Sequence, residues 1–223
     1  MCGRYALYTP VEAMVRLFGL EEAQAQPPRY NIAPTQPVSV IRADDRGSRR
    51  ADQLRWGLVP FWAKDLAIGN RMINARGETV AEKPAFRQAW RRRRCLIPAD
   101  GFYEWQKLPA GKQPWFISSG GSGLLAFAGL WERWDDRGKT EPVETFTIIT
   151  TVANGTLGPL HDRMPVIVSP EHWDRWLDPV ADEEALAGLL QPAADDLLTA
   201  HPVSRRVNSP ANDGPELIEA VGA

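Results

Sequence analysis

The sequence predicts an α+β fold, with an antiparallel, barrel-like β core and short peripheral helices in a single domain spanning residues 1–223. Three observations carry this expectation. Short runs of strand character recur along the chain. They do not alternate regularly with helices, which argues against a doubly wound parallel sheet. The chain has no internal repeat and no low-complexity linker, and 223 residues suit one sizeable core.

The elements follow in order. Residues 2–8 read as a strand. A helix is expected to start at Thr9-Pro-Val-Glu12, with Thr9 as cap, Pro10 at the first helical position and Glu12 closing a capping box. Val11, Met14, Val15 and Phe18 form its apolar stripe, and Gly19 ends it. Residues 24–37, rich in Pro and Gln, read as an ordered loop. Strands are expected at 38–43, 52–59, 94–98, 101–106, 114–118, 124–133, 144–151 and 164–168. The β-branched run Glu144-Thr-Phe-Thr-Ile-Ile-Thr-Thr151 is the clearest. Short helices are expected at 83–91, at 170–177 behind a Ser169 cap, and at 181–190. From about 208 the chain is rich in Pro, Asn and Gly and is expected to be irregular.

Composition narrows the class. Hydrophobic residues make up 43% and charged residues 24%, as in ordinary globular proteins. No apolar run approaches the roughly 20 residues that span a bilayer, and the N-terminus lacks the apolar stretch of a secretory signal. The expectation is a cytoplasmic protein with no membrane partner. Two cysteines, Cys2 and Cys95, exclude a disulfide framework, and three scattered His with no CxxC argue against a metal site. No cofactor is implied. Net charge is −2, but residues 1–100 hold 17 Lys and Arg against 10 Asp and Glu, and the remainder 9 against 18. A basic half can present a phosphate-binding face on a near-neutral protein, or be chance surface charge.

Cys2 stands out by position. Removal of Met1 would leave a 1,2-aminothiol: an amine of pKa about 8 beside a thiol of about 8.5. The amine can form an imine with an aldehyde, and the thiolate can close a five-membered thiazolidine at high effective molarity. The same residue could serve as an N-terminal nucleophile for amide hydrolysis, or be a buried structural cysteine. In Ile73-Asn-Ala-Arg-Gly-Glu-Thr79, Asn74 could orient a sugar oxygen and Arg76 a phosphate, although Asn is also a common turn former. Glu104 lies between aromatics in Gly101-Phe-Tyr-Glu-Trp105. An apolar setting would raise its pKa toward general acid–base use; alternation equally allows it to face solvent. His161 precedes a strand and could transfer protons or stabilise a turn.

Nine Trp is a high count for this length, and at least half should be core. Phe61 and Trp62 sit at an expected loop tip, where aromatics can stack on bases or wedge a duplex. The run Arg91-Arg92-Arg93-Arg94 favours a helix C-terminus and could also meet phosphates.

Taken in order, these stretches resemble the SRAP (SOS response-associated peptidase) family, whose members process abasic sites. The resemblance rests on Met1-Cys-Gly-Arg-Tyr5, Arg29-Tyr-Asn-Ile-Ala-Pro34, Trp56-Gly-Leu-Val-Pro60, Ile73–Thr79, Cys95-Leu-Ile-Pro-Ala-Asp-Gly-Phe-Tyr-Glu-Trp105, Thr150-Thr151, His161-Asp-Arg-Met-Pro165 and His201-Pro-Val-Ser204, nearly the whole chain. It implies an SRAP-like fold and a covalent thiazolidine between Cys2 and the ring-opened abasic site in single-stranded DNA, shielding the lesion at replication forks. By the same match, Asn74 would position the sugar, Glu104 would act as general acid–base, and His161 would assist proton transfer. Arg4, Arg76 and Arg163 would bind phosphates. Pro34, Trp105, Thr150 and Thr151 would line the groove, and Phe61 and Trp62 would form a wedge. The stretch Ala63–Met72 is longer than that pattern leads one to expect. Only Met1 precedes Cys2, so no longer leader would need to be removed. A covalent DNA cap would work as a monomer. Two other readings remain open: a cysteine peptidase using Cys2, which needs no basic groove, and a non-catalytic reader of modified DNA, which needs no aminothiol.

Overall fold

The computed structural model describes residues 2–44, 46–121, 123–136, 138 and 141–222. Its backbone is organised by two sheets that share one core. The first is a closed ring of five strands: β3 (Pro37–Ala43), β4 (Arg49–Trp56), β6 (Arg94–Ala99), β9 (Leu125–Trp134) and β10 (Val143–Val152). Four of its seams are antiparallel. The ring closes through a parallel seam, Thr145 opposite Arg55 and Phe146 opposite Trp56. β5 (Asn74–Arg76) and β11 (Arg163–Pro165) extend β10, on parallel and antiparallel seams respectively. The barrel-like core expected from sequence is therefore present, with mixed rather than wholly antiparallel pairing.

The second sheet is antiparallel throughout, in the order β12 (Leu198–Pro202), β8 (Gly111–Ser119), β7 (Gly101–Leu108), β1 (Tyr5–Leu7) and β2 (Arg29–Ile32). Successive side chains on a strand point to opposite faces. Tyr5, Leu7, Phe102 and Ile117 accordingly join the main core against the barrel. Ala6, Tyr103 and Phe116 point the other way and pack with Val203, Val207 and Leu217 of the C-terminal segment. Five of the nine Trp, at 56, 90, 134, 173 and 176, are buried, so the aromatic excess is mostly core.

The short helices lie outside the barrel: α1 (Val11–Phe18), α2 (Arg87–Arg92), α3 (Trp173–Leu177) and α4 (Glu183–Ala187). Gly19 ends α1 in the left-handed region at φ 64°, as expected. The expected caps differ. Pro10 occupies the cap position of α1, and Thr9 instead donates its hydroxyl to Asp100 Oδ1 at 2.5 Å, which ties the chain after β1 to β7's entry; no Glu12 capping box forms. Ser169 does not cap the backbone, and residues 170–172 form a 3-10 turn ahead of α3. Residues 24–37, expected as loop, contain β2. The basic run after Trp90 does not form one patch: Arg93 pairs with Glu132 at 2.7 Å, and buried Arg94 donates to the carbonyls of Trp90, Trp176 and Asp178. No helix is long and apolar enough to cross a membrane among the described residues.

The C-terminal segment, expected to be irregular from about 208, is held by a dense polar network. Asn31, fully buried, donates from Nδ2 toward the carbonyls of Val207, Ser209 and Asn212 at 2.8–3.1 Å, and accepts at Oδ1 from Arg4 at 2.9 Å. Asp213 accepts from the backbone N–H groups of Tyr30 and Asn31 and from Arg29. Truncating Asn31 would take a hydrogen bond from Arg4 and from the carbonyls of Val207, Ser209 and Asn212, and a buried polar group left short of partners costs more than the bond itself. Asn31→Ala is expected to lower unfolding free energy by about 2–4 kcal/mol, read as a lower denaturant midpoint with faster proteolysis after residue 204. A change under about 0.5 kcal/mol, the level of a neutral surface substitution, would contradict this role.

Candidate functional site

The site forms where the edge of the five-stranded sheet meets the β5–β10–β11 side of the barrel. The register of β1 on β7 is Tyr5 opposite Phe102, and Tyr103 N–H donates to Arg4 O at 3.0 Å. Just ahead of this pairing, Cys2 lies close enough to Glu104 for the two to interact electrostatically. Cys2 is fully buried, and its Sγ lies 3.7 Å from Arg4 O. Burial pushes the thiol well above its ordinary pKa, and the Glu104 carboxylate adds to the shift.

Glu104 is 2% exposed. The alternation that left two readings open is settled by the sheet's faces. Glu104 shares a face with Phe102, toward the barrel, whereas Tyr103 and Trp105 face the opposite cluster. Burial raises the carboxyl's pKa, and the nearby His161 offsets part of that rise. His161 Nδ1 accepts from the Arg163 backbone N–H at 3.0 Å and lies 2.9 Å from the Asp162 carboxylate.

Asn74 comes from β5, which is aligned by its pairing with β10, Asn74 opposite Ile148. Its Nδ2 donates to the Cys2 carbonyl at 2.8 Å. Its Oδ1 is buried and makes no hydrogen bond to a described residue. A buried acceptor left open in this way is costly and calls for an explanation, such as a ligand group that completes it. Cys2, Asn74, Glu104 and His161, from four separate stretches, thus converge on one place.

The residues expected to line a groove are distributed unequally around it. Arg76 is exposed on the strand that carries Asn74, opposite Thr150. Arg163 is largely buried: it forks onto Glu78, Nη1 to Oε1 at 2.5 Å and Nη2 to Oε2 at 2.9 Å, and Nη2 also reaches Thr150 O at 2.6 Å. Arg4 spends its donors on Asn31 Oδ1, Val207 O and Asn208 O. Thr150 and Thr151 are buried, and Pro34 and Trp105 are half-buried. Trp105 donates its indole N–H to Asn208 Oδ1 at 2.7 Å.

Phe61 and Trp62 are about half exposed, at 53% and 50%. Their loop is pinned at its base. Gly57, at φ 119°, and Gly69 approach so closely that a Cβ on either would fall 2.4–2.6 Å from the other's carbonyl oxygen. Trp134 Nε1 also donates to Ala63 O at 2.8 Å. The intervening Leu66–Arg71 forms a 3-10 turn capped by Asp65, so the unexpectedly long Ala63–Met72 stretch is folded back rather than projecting. Among the described residues, no three His, Cys, Asp or Glu side chains converge as a metal site.

Sequence reasoning missed Asn31, Glu78 and Asn208, which hold Arg4, Arg163 and Trp105 in place. The first two lie inside stretches already singled out, beside residues given more direct roles. Only the fold shows what they touch.

Comparison with known proteins fits this geometry. The profile of the family described as SOS response associated peptidase (SRAP) matches residues 1–210. The abasic site processing protein YoqW of Bacillus subtilis (strain 168) is 45% identical over 225 residues, covering 99% of this chain and 100% of that one. The abasic site processing protein HMCES of Gallus gallus is 32% identical over 262 residues, covering 98% of this chain and 77% of that one. An X-ray structure of a protein from Bacteroides thetaiotaomicron superimposes with a TM-score of 0.89 at 26% identity, covering 99% of this chain and 100% of that one. With a family match over residues 1–210 and relatives at 45% and 32% identity, this chain belongs to the SRAP family.

Proposed function

We propose that this protein processes abasic sites in DNA, and that it does so by capturing the ring-opened sugar on Cys2 as a thiazolidine. The observation that carries the reading is Asn74. It holds the Cys2 carbonyl with one end of its amide and keeps the other end buried and open, beside a buried carboxylate. That arrangement fixes the second residue of the chain and offers an acceptor to a sugar hydroxyl. The relatives named as abasic site processing proteins support the same substrate.

With Met1 removed, the Cys2 amine adds to the C1 aldehyde and gives a carbinolamine. Glu104, whose pKa is raised by burial, gives its proton to the departing hydroxyl, and water leaves as the iminium forms. The thiol then adds to the iminium carbon and its proton returns to the Glu104 carboxylate. One water is lost overall, and no oxidant or cofactor is consumed. A thiol held un-ionised by burial needs such a base at the moment of ring closure. His161, through Nε2, serves the sugar oxygen. Arg76 and Arg163 take phosphates flanking the lesion, while Arg4 adds positive potential at the groove as its hydrogen bonds hold the C-terminal segment. Pro34, Trp105 and the Thr150-Thr151 backbone shape the groove, and Phe61 and Trp62 favour an unpaired or junction strand.

Met1-free protein, verified by mass, is expected to form a heat-stable band with single-stranded DNA carrying one abasic site on a denaturing gel; Cys2→Ala is expected to form none. A Cys2→Ala band of equal intensity would assign the bond elsewhere. Loss of the band with unchanged binding to modified DNA in both proteins would favour a non-catalytic reader.

Glu104→Gln should separate activity from stability. Its raised folded-state pKa means that ionising this carboxyl opposes folding. That cost grows as pH rises from the unfolded carboxylate range through the raised value, and persists above it. At neutral pH the Gln variant is therefore expected to be more stable by about 1 kcal/mol, or about 2–4 °C in Tm. It should cross-link at least about 100-fold more slowly, with DNA affinity nearly intact. A Tm that falls, together with an equal loss of affinity, would make Glu104 a structural residue.

A further inference from the structure

We propose that Glu78 tunes DNA affinity: its carboxylate competes with DNA phosphate for Arg163 and so holds down affinity for strands that carry no lesion. The inference rests on the reading of Arg163 as a phosphate contact. Glu78 lies in the 3-10 turn Gly77–Thr79, directly after β5, and Arg163 opens β11. The two strands flank β10 on opposite sides, so the pair bridges the three-strand edge across Thr150.

The pair is unequally exposed: the Glu78 side chain is 48% exposed and that of Arg163 9%. Glu78 is thus the solvent-facing partner, and an arriving phosphate meets the guanidinium from its side. The bonds from Arg163 Nη2 to Thr150 O and Oγ1 do not involve Glu78. They keep the guanidinium in place while one anion replaces another, so no step leaves a buried charge unpaired. A phosphate offers the same two-oxygen edge as the carboxylate it displaces. Arg163 holds the Glu78 carboxyl below its ordinary pKa, with a smaller contribution from Arg76. The competitor therefore stays ionised across the pH range in which DNA binding occurs.

The consequence is lower occupancy on undamaged DNA. Any strand must displace Glu78 to engage Arg163, so an undamaged strand is held more weakly and leaves sooner, whereas an abasic strand is retained by bond formation at Cys2, which an undamaged strand cannot offer.

The test measures binding to undamaged single-stranded DNA over a salt series for the wild type, Glu78→Gln, Glu78→Ala, Arg163→Gln and the Glu78→Gln/Arg163→Gln double variant, with folding checked by Tm. Both Glu78 variants are expected to bind roughly 2–5-fold more tightly than the wild type, the range of a partly exposed ion pair. Arg163→Gln should weaken binding and reduce the salt slope by about 0.7, one single-strand phosphate contact. In the double variant the gain should vanish. Affinity unchanged or weakened by both Glu78 substitutions would overturn the proposal. So would a gain that survives in the double variant, which would mean simple charge repulsion of DNA. If the wild type cross-links abasic DNA and Arg163→Gln behaves as expected, but neither Glu78 variant gains affinity, the Glu78 inference alone is defeated. An unchanged salt slope in Arg163→Gln defeats the phosphate contact beneath it.

Discussion

The site depends on one constraint: the short strand β1 is locked in antiparallel register beside β7. That register is fixed by Tyr5 opposite Phe102, and by Asp100, which accepts from the backbone N–H groups of Tyr8 and Thr9. A slip of one residue would turn every side chain of β1 to the other face of the sheet. Tyr5 and Leu7 would leave the barrel core, and Cys2 would lose its place beside Glu104 and Asn74. The placement of the second residue is therefore tied to the packing of the fifth and seventh.

The two sheets contribute different things. The five-stranded sheet brings Cys2 and Glu104 together, and its outer face is covered by the C-terminal segment through Val203, Val207 and Leu217. The barrel edge brings Asn74, Arg76, Thr150, His161 and Arg163. Burying Glu104 where the two meet raises its pKa and opposes its ionisation, as is common at sites that do acid–base work. Asn31, with its four hydrogen bonds in the polar network, anchors the segment that also orients Trp105 through Asn208.

Much of this was legible in the sequence, for physical reasons that also mark the limits. β3, β6, β7, β8, β9 and β10 carry β-branched or aromatic runs, and each fell within a few residues of its expected place. β2 (Arg-Tyr-Asn-Ile), β5 (Asn-Ala-Arg) and β12 (Leu-Thr-Ala-His-Pro) did not announce themselves. They are short and partly polar, and they become strands because a neighbouring edge pairs with them. The parallel β4–β10 seam joins residues some 90 positions apart, beyond the reach of local pattern. Cys2, Asn74, Glu104 and His161 could be grouped as candidates because the stretches that hold them resemble one family's, in order along the chain. Their supports were not: Thr9 serves Asp100 rather than a helix end, and Arg94 serves three carbonyls rather than a basic patch. Such roles depend on partners far away in sequence.

The central claim is that the bond to DNA forms at both nucleophiles of residue 2. The most direct measurement is the intact mass and peptide map of the conjugate formed with an abasic oligonucleotide, without borohydride reduction. The account predicts a mass equal to Met1-free protein plus oligonucleotide less one water, carried by the N-terminal peptide, with the Cys2 thiol closed to alkylation. A conjugate mapped to a lysine, or a Cys2 thiol that still alkylates freely in the conjugate, would contradict it.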